Sequence, residues 1–128
     1  MGARCPGARY VGPAVLPAHL FRINGNHHAT ILPAAGKVVH GVVWSITAAH
    51  EAALDLHEGV AIALYRRHQV LVTLDGGEVI QALTYMARNT TPTPTSGEYF
   101  DELLAAARSR GLPEEYLMEL EEWRSPVR

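Results

Sequence analysis

Hydrophobic and polar positions follow a β-like pattern through most of the first half of the chain and change to a helical period at its end. Ala8 to Leu16 is short and apolar. Gly12 and Pro13 interrupt it, which predicts an edge or bulged strand. His19 to Ile23 alternates weakly before the turn signal Asn24-Gly25-Asn26. Ala29 to Leu32 is a brief β run ending at Pro33. Ala34-Ala35-Gly36 then turns into Lys37 to Ile46, whose valines and Trp44 predict a central strand. Two longer β runs follow, Ala63 to Leu74 and Glu78 to Ala87. Asp75-Gly76-Gly77 joins them and predicts a hairpin. In the second run, Val79, Gln81, Leu83 and Tyr85 share one face, and Ile80, Ala82, Thr84 and Met86 the other. Both faces carry apolar residues, so burial on both sides is expected.

One helix interrupts the strands early. Thr47 is a good N-cap before the Ala-rich run Ala48 to Leu56, and Gly59 suits the left-handed position past a helix end. Glu58 therefore stands in the last turn, beside the negative end of the helix dipole. A carboxylate is disfavoured there, and a partly dry surrounding disfavours it further. Such a group can take and give a proton near neutral pH. The plainer alternative is a solvated residue at a fraying helix end.

After the Thr/Pro loop Arg88 to Ser96, Thr95 and Glu98 form a capping-box pattern for a helix from Ser96 to about Arg110, stopped by Gly111. Pro113, Glu114 and Glu115 open a second short helix. Tyr116, Leu117, Leu120 and Trp123 fall at helical spacing on it, as core residues do. Strands around one early helix, with a helical pair at the end, argue an α+β fold with a largely antiparallel sheet.

Composition changes this picture little. The 128 residues make one domain, 1–128, and a formal charge of −2 gives no footprint for nucleic acid or an anionic membrane. No apolar run approaches the roughly 20 residues needed to span a bilayer. Met1-Gly2-Ala3-Arg4 lacks an apolar signal core, and Cys5 is the single cysteine. Both fit a reducing cytoplasm. Seven histidines form no dense ligand pattern, so no metal site is expected, and no phosphate-binding glycine loop implies a cofactor. Ser45 and Ser96 lack a nucleophile elbow. Arg66 and Arg67 point to opposite faces of a strand and make no basic patch. Tyr65, Tyr85 and Tyr99 read either as ordinary packing or as phenols lining a pocket for a polar substrate.

The chain resembles the γ-glutamylcyclotransferase-like proteins. The resemblance runs from Arg4 to about Leu120 and rests on short pieces in order. Arg4-Cys5-Pro6-Gly7-Ala8-Arg9 leads through Val11-Gly12-Pro13-Ala14 and Ala29-Thr30-Ile31 to Val39-His40-Gly41-Val42-Val43-Trp44. Leu54-Asp55-x-x-Glu58-Gly59-Val60, Tyr65-Arg66-Arg67 and Ala82-Leu83-Thr84-Tyr85 follow. Pro92-Thr93-Pro94, Glu98-Tyr99 and Gly111-Leu112-Pro113-Glu114-Glu115-Tyr116 close the match. Each piece is weak alone; their order and spacing together are specific.

The resemblance implies a mixed, largely antiparallel β-barrel with flanking helices. It also implies release of 5-oxoproline from a γ-glutamyl peptide, amino acid or amine by intramolecular aminolysis. Glu58 matches the family's acid/base glutamate, and Tyr65, Tyr85 and Tyr99 match tyrosines near its substrate pocket. Members of the family begin with a strand and a Tyr-Gly-Ser-Asn-like loop whose backbone amides hold the substrate. That run does not occur in these residues. The expectation is a barrel lacking its first strand, a natural start upstream of Met1, weak activity in the chain as given, and an exposed sheet edge able to pair in a homodimer. Two further readings stay open: a non-catalytic protein binding a small acidic metabolite, and an interaction protein recruiting a partner strand.

Overall fold

The structure, a computed structural model, describes residues 5–60 and 64–124. Arg4, where the resemblance begins, and Ala63, where a strand was expected to begin, lie outside the described residues. In chain order the elements are β1 (Arg9–Ile23), β2 (Ala29–Ser45), α1 (Ala48–His57), β3 (Tyr65–Leu74), β4 (Val79–Ala87), α2 (Glu98–Ser109) and α3 (Glu114–Glu121). The strands form a four-stranded sheet in the order β2-β1-β3-β4, and every ladder in it is antiparallel. The fold is α+β, as expected.

The short runs expected early in the chain fuse into two long strands. β1 absorbs its breakers as register shifts, one between Tyr10 and Gly12 and one between Pro17 and His19. Ala18 takes a positive φ of 59° at the second of these. β2 likewise runs through Pro33 and Gly36 without a break in the element. The Asn24 turn between the two strands is as expected: the buried Asn24 side chain accepts from the Asn26 and His28 N–H groups.

Three expectations need correction. First, the sheet is not closed into a barrel. β1 meets β3 only at Ala14↔Leu74 and Val15↔Thr73. Pro13 and Pro17 flank that contact and have no N–H to extend it. Second, the Lys37 to Ile46 segment belongs to an edge strand, not a central one. Its valines alternate between the core, where Val39 and Val43 pack, and a face where Val38 and Val42 are exposed. β4 is the other edge; its first half is open on one face, where Val79 is 59% exposed, and both faces are covered only at its end, by buried Met86 and Ala87. Third, Thr95 does not cap α2. Gly97 is the N-cap, without a side-chain hydrogen bond, while buried Thr95 donates its N–H to the Trp123 carbonyl at 2.8 Å. That contact ties the approach to α2 to the end of α3.

The sheet curls around a small core. Ala14, Leu16 and Val72 are its buried centre, with Val39 and Val43 of β2 facing Val70, Ile80 and Ala82 of β3 and β4. At one end the Ala87 N–H donates to Thr30 Oγ1 at 2.8 Å, bringing β4 against β2. A second cluster, Phe100, Leu104, Tyr116, Leu117 and Leu120, holds α2 and α3 together and packs on Phe21 and Val39. The end of α2 is pinned separately: the Arg110 guanidinium lies 4.3 Å from the Tyr10 ring centre and 5.2 Å from that of Trp44.

Candidate active site

Local sequence places Glu58. Thr47 caps α1 with a capping box closed by His50, and Glu58 is the C-cap residue. The Glu58 N–H donates to the Leu54 carbonyl at 2.8 Å, and Gly59 turns the chain away with φ 67°. Leu54 is the buried anchor of the helix. These contacts set the half-buried Glu58 on the wall of a cavity of about 660 Å³.

That cavity occupies the seam where the sheet fails to close. β2 supplies Val42 to Ser45 and β4 supplies Ile80 to Tyr85, with Leu54 and Glu58 at the helix end. Glu58 and Tyr85 therefore share one concavity, mostly apolar in its walls, with Thr84, Gln81 and Ser45 as further polar groups. This is the form small-molecule sites take: an apolar hollow with a few convergent polar groups.

A polar chain stands behind Tyr85. Its hydroxyl donates to Asp55 Oδ1 at 2.6 Å. Arg67 Nη1 donates to Asp55 Oδ2 at 3.4 Å, and the same guanidinium pairs with Glu51. Arg67 and Tyr85 are register partners across β3 and β4, so the chain ties the polar side of α1 to that hairpin. Burial pushes the Tyr85 phenol well above its ordinary range. The hydrogen bond to Asp55 and its charge push it further, Glu58 adds to the shift, and Arg67 opposes it.

Tyr65 and Tyr99 form a different group. The Tyr65 hydroxyl donates to the Ala29 carbonyl at 3.1 Å, and the Ala29 N–H donates to the Tyr99 oxygen at 3.1 Å. Together they hold both backbone polar groups of Ala29 at the start of β2. Burial raises Tyr65 to about 12, with the Glu58 charge and then Tyr99 as further causes. Glu58 thus acts electrostatically on both Tyr65 and Tyr85, although only Tyr85 lines its cavity.

Sequence reasoning missed Asp55, Arg67 and Glu51. A signal was available: Glu51, Asp55 and Glu58 follow at i, i+4 and i+7, one side of a helix. Two of the histidines have structural work. His50 completes the helix cap and its Nε2 lies 2.8 Å from the Pro6 carbonyl, while the His40 ring packs on Tyr116 with ring centres 4.8 Å apart. Cys5 is buried, with Sγ 3.7 Å from the His50 carbonyl. Among the described residues, no group of three or more His, Cys, Asp or Glu side chains could hold a metal ion. Among them too, no helix is long and apolar enough to cross a membrane.

The sequence profile of the AIG2-like family matches residues 38–120, from within β2 to α3. The chain belongs to this family. Over 92 residues it is 34% identical to a γ-glutamylcyclotransferase of Bos taurus, an alignment covering 72% of this chain and 49% of that protein. A Homo sapiens γ-glutamylcyclotransferase is 34% identical over 88 residues, covering 69% and 47%. Among solved structures, a γ-glutamyl cyclotransferase superposes with a TM-score of 0.87 at 28% identity, over 94% of this chain and 77% of that one. An uncharacterized protein from Homo sapiens superposes with 0.86 at 29% identity, over the same shares, 94% and 77%. The γ-glutamylcyclotransferase-like resemblance read from the motifs therefore holds for family and fold. The chain spans about half the length of the curated relatives it matches.

Proposed function

We propose that Glu58 is the proton-transfer group of a γ-glutamyl cyclotransferase. In this reading a γ-glutamyl amide binds in the cavity at the end of α1. Its α-amine nitrogen bonds to its own γ-carbonyl carbon, and the bond from that carbon to the leaving nitrogen breaks. The products are 5-oxoproline and an amine or amino acid. Glu58 takes the proton that the α-ammonium loses before attack and returns it to the leaving nitrogen. The second proton shed as the lactam forms goes to solvent, and the released amine regains one there. Closure of the five-membered ring needs chiefly a held conformation, which a hollow with few polar anchors supplies.

The observation that carries the reading is the shared cavity of Glu58 and Tyr85 in a chain of this family. No metal or redox cofactor enters the scheme, and the single cysteine fits a reducing cytoplasm as its setting.

The test measures 5-oxoproline formation from glutathione, γ-glutamyl-alanine and a γ-glutamyl amine. It compares the chain as given with the same chain carrying a Tyr-Gly-Ser-type segment ahead of Met1, each with and without Glu58→Gln. Backbone donors in such a segment would stabilise the developing oxyanion, and one such donor is worth on the order of 100- to 1,000-fold in rate. We expect turnover in the extended chain, little in the shorter one, and loss in both Gln variants with folding intact. Near-normal turnover in the Gln variant would overturn the role of Glu58.

A second reading draws on the sheet order. Among the described residues β2 and β4 each pair on one side only, with Val38, Val42 and Val79 exposed along them. Unpaired edges recruit strands, and a second copy of this chain in a two-fold dimer is the commonest arrangement that covers one.

A further inference from the structure

Asp55 sits one helical turn before Glu58, so both carboxylates leave α1 on the same side. Each Asp55 oxygen is engaged: Oδ1 accepts from the Tyr85 hydroxyl at 2.6 Å and Oδ2 from Arg67 at 3.4 Å. A phenol has one proton to give. With that proton committed to Asp55, the Tyr85 oxygen can only accept on its cavity side. Glu58, on the same wall, is also an acceptor when ionised. The charged groups facing Tyr85 are Asp55, Arg67 and Glu58. Arg67 is already paired with Glu51 and Asp55, behind the phenol. This part of the wall therefore presents acceptors to a ligand. It suits a cationic N–H group and disfavours a carboxylate.

We propose that Asp55, steadied by Arg67, is a positioning residue that fixes the Tyr85 phenol as a hydrogen-bond acceptor and so selects a protonated amine beside Glu58. The amine is the α-ammonium of the substrate if the cyclotransferase reading holds, and on that reading this inference rests. The polarity of Tyr85 does not depend on turnover, so the two can fail separately.

Asp55→Asn is nearly isosteric but reverses the pattern. The amide NH2 donates to the Tyr85 oxygen while its carbonyl keeps Arg67, and the phenol proton swings to the cavity. We expect KM for γ-glutamyl substrates to rise about 10- to 100-fold, the range of a hydrogen bond to a charged group, with a smaller change in kcat. Tyr85→Phe should do the same, and the double variant should be no worse than Tyr85→Phe alone, because Asp55 acts through Tyr85. Additive losses would overturn the proposal.

Two further measurements need no turnover. In protein labelled with ζ-13C-tyrosine, the Tyr85 resonance is assigned by its loss in Tyr85→Phe. Its alkaline titration midpoint should fall in Asp55→Asn, and an unchanged midpoint would overturn the hydrogen-bond assignment. The same resonance should respond to γ-glutamyl-alanine at least tenfold more readily than to its N-acetyl form. Equal response in the unmodified chain would overturn amine selection, whatever the variants do. Selection of the amine without any 5-oxoproline release would sustain the proposal and sink the cyclotransferase reading.

Discussion

Thr47 and His50 cap one another at the start of α1. The His50 N–H donates to Thr47 Oγ1 at 3.2 Å, and the Thr47 N–H reaches His50 Nδ1 at 3.1 Å. With Nδ1 accepting, the ring proton sits on Nε2, which faces the Pro6 carbonyl at 2.8 Å. One histidine thus fixes the first turn of the helix and fastens it to the segment before β1. The last turn of the same helix presents Asp55 and Glu58. Thr47→Ala removes half of the box, and we expect a loss of about 1 kcal/mol, seen as a fall of roughly 4 °C in Tm. Thr47→Ser should restore most of it. An Ala variant that melts with the parent would show that the cap contributes nothing.

Gly59 holds the other end. Its φ of 67° lies in the left-handed region, where a Cβ is strained by roughly 1–2 kcal/mol. Gly59→Ala should lower the unfolding free energy by about 1–2 kcal/mol, read as a lower urea midpoint at unchanged slope. Gly59→Asn should fall between, since Asn visits this conformation more readily. A midpoint unchanged by Ala would mean that the chain leaves α1 by another route.

Alkaline pH should unfold the domain through its tyrosines. Burial raises Tyr116 from 10.0 to about 12; a backbone hydrogen bond from His40 opposes this, and the charge of Glu119 adds to it. The folded state holds this proton more tightly than the unfolded chain. The stabilisation is therefore complete below pH 10 and is lost as pH rises from 10 through 12. Two pH units correspond to on the order of 2–3 kcal/mol. Tyr65, also raised to about 12, adds in the same direction. Chemical denaturation at pH 9 and pH 11.5 checks this. Tyr116→Phe should show a shallower loss across the interval, and an identical loss would assign the effect to other groups.

The exposed edges predict association. Sedimentation velocity of the chain as given should show a dimer or larger species, and a charged residue at Val79 or Val42 should shift it toward monomer. A monomer at all concentrations would remove strand pairing between copies as a role for β2 and β4.

Features set within a few residues were legible in the sequence. Thr47 and Gly59 fall at the N-cap and just beyond the C-cap, as their types favour, and Glu58 is the C-cap between them. Gly76 and Gly77 join β3 to β4, and Gly111, with φ 75°, follows the end of α2. Where a second segment competed, the local pattern lost. Thr95 has the right spacing to Glu98 for a capping box, yet its backbone pairs with the end of α3 and its side chain is buried. The valines of Lys37 to Ile46 look like a central strand, but β2 lies at an edge of the sheet and only one of its faces meets the core.

The sequence by itself determined the helix that carries Glu58, because capping, helix propensity and a left-handed glycine act over one or two turns. It also determined which residues can move a proton or accept a hydrogen bond. It did not determine what Glu58 would face. Tertiary structure left β2 and β4 unpaired at the two ends of the strand order and made the seam between them the cavity. It brought Tyr85 onto Asp55 from 30 positions away and so set the phenol's polarity. Contacts of that kind depend on how the sheet curls, and no local pattern encodes the curl.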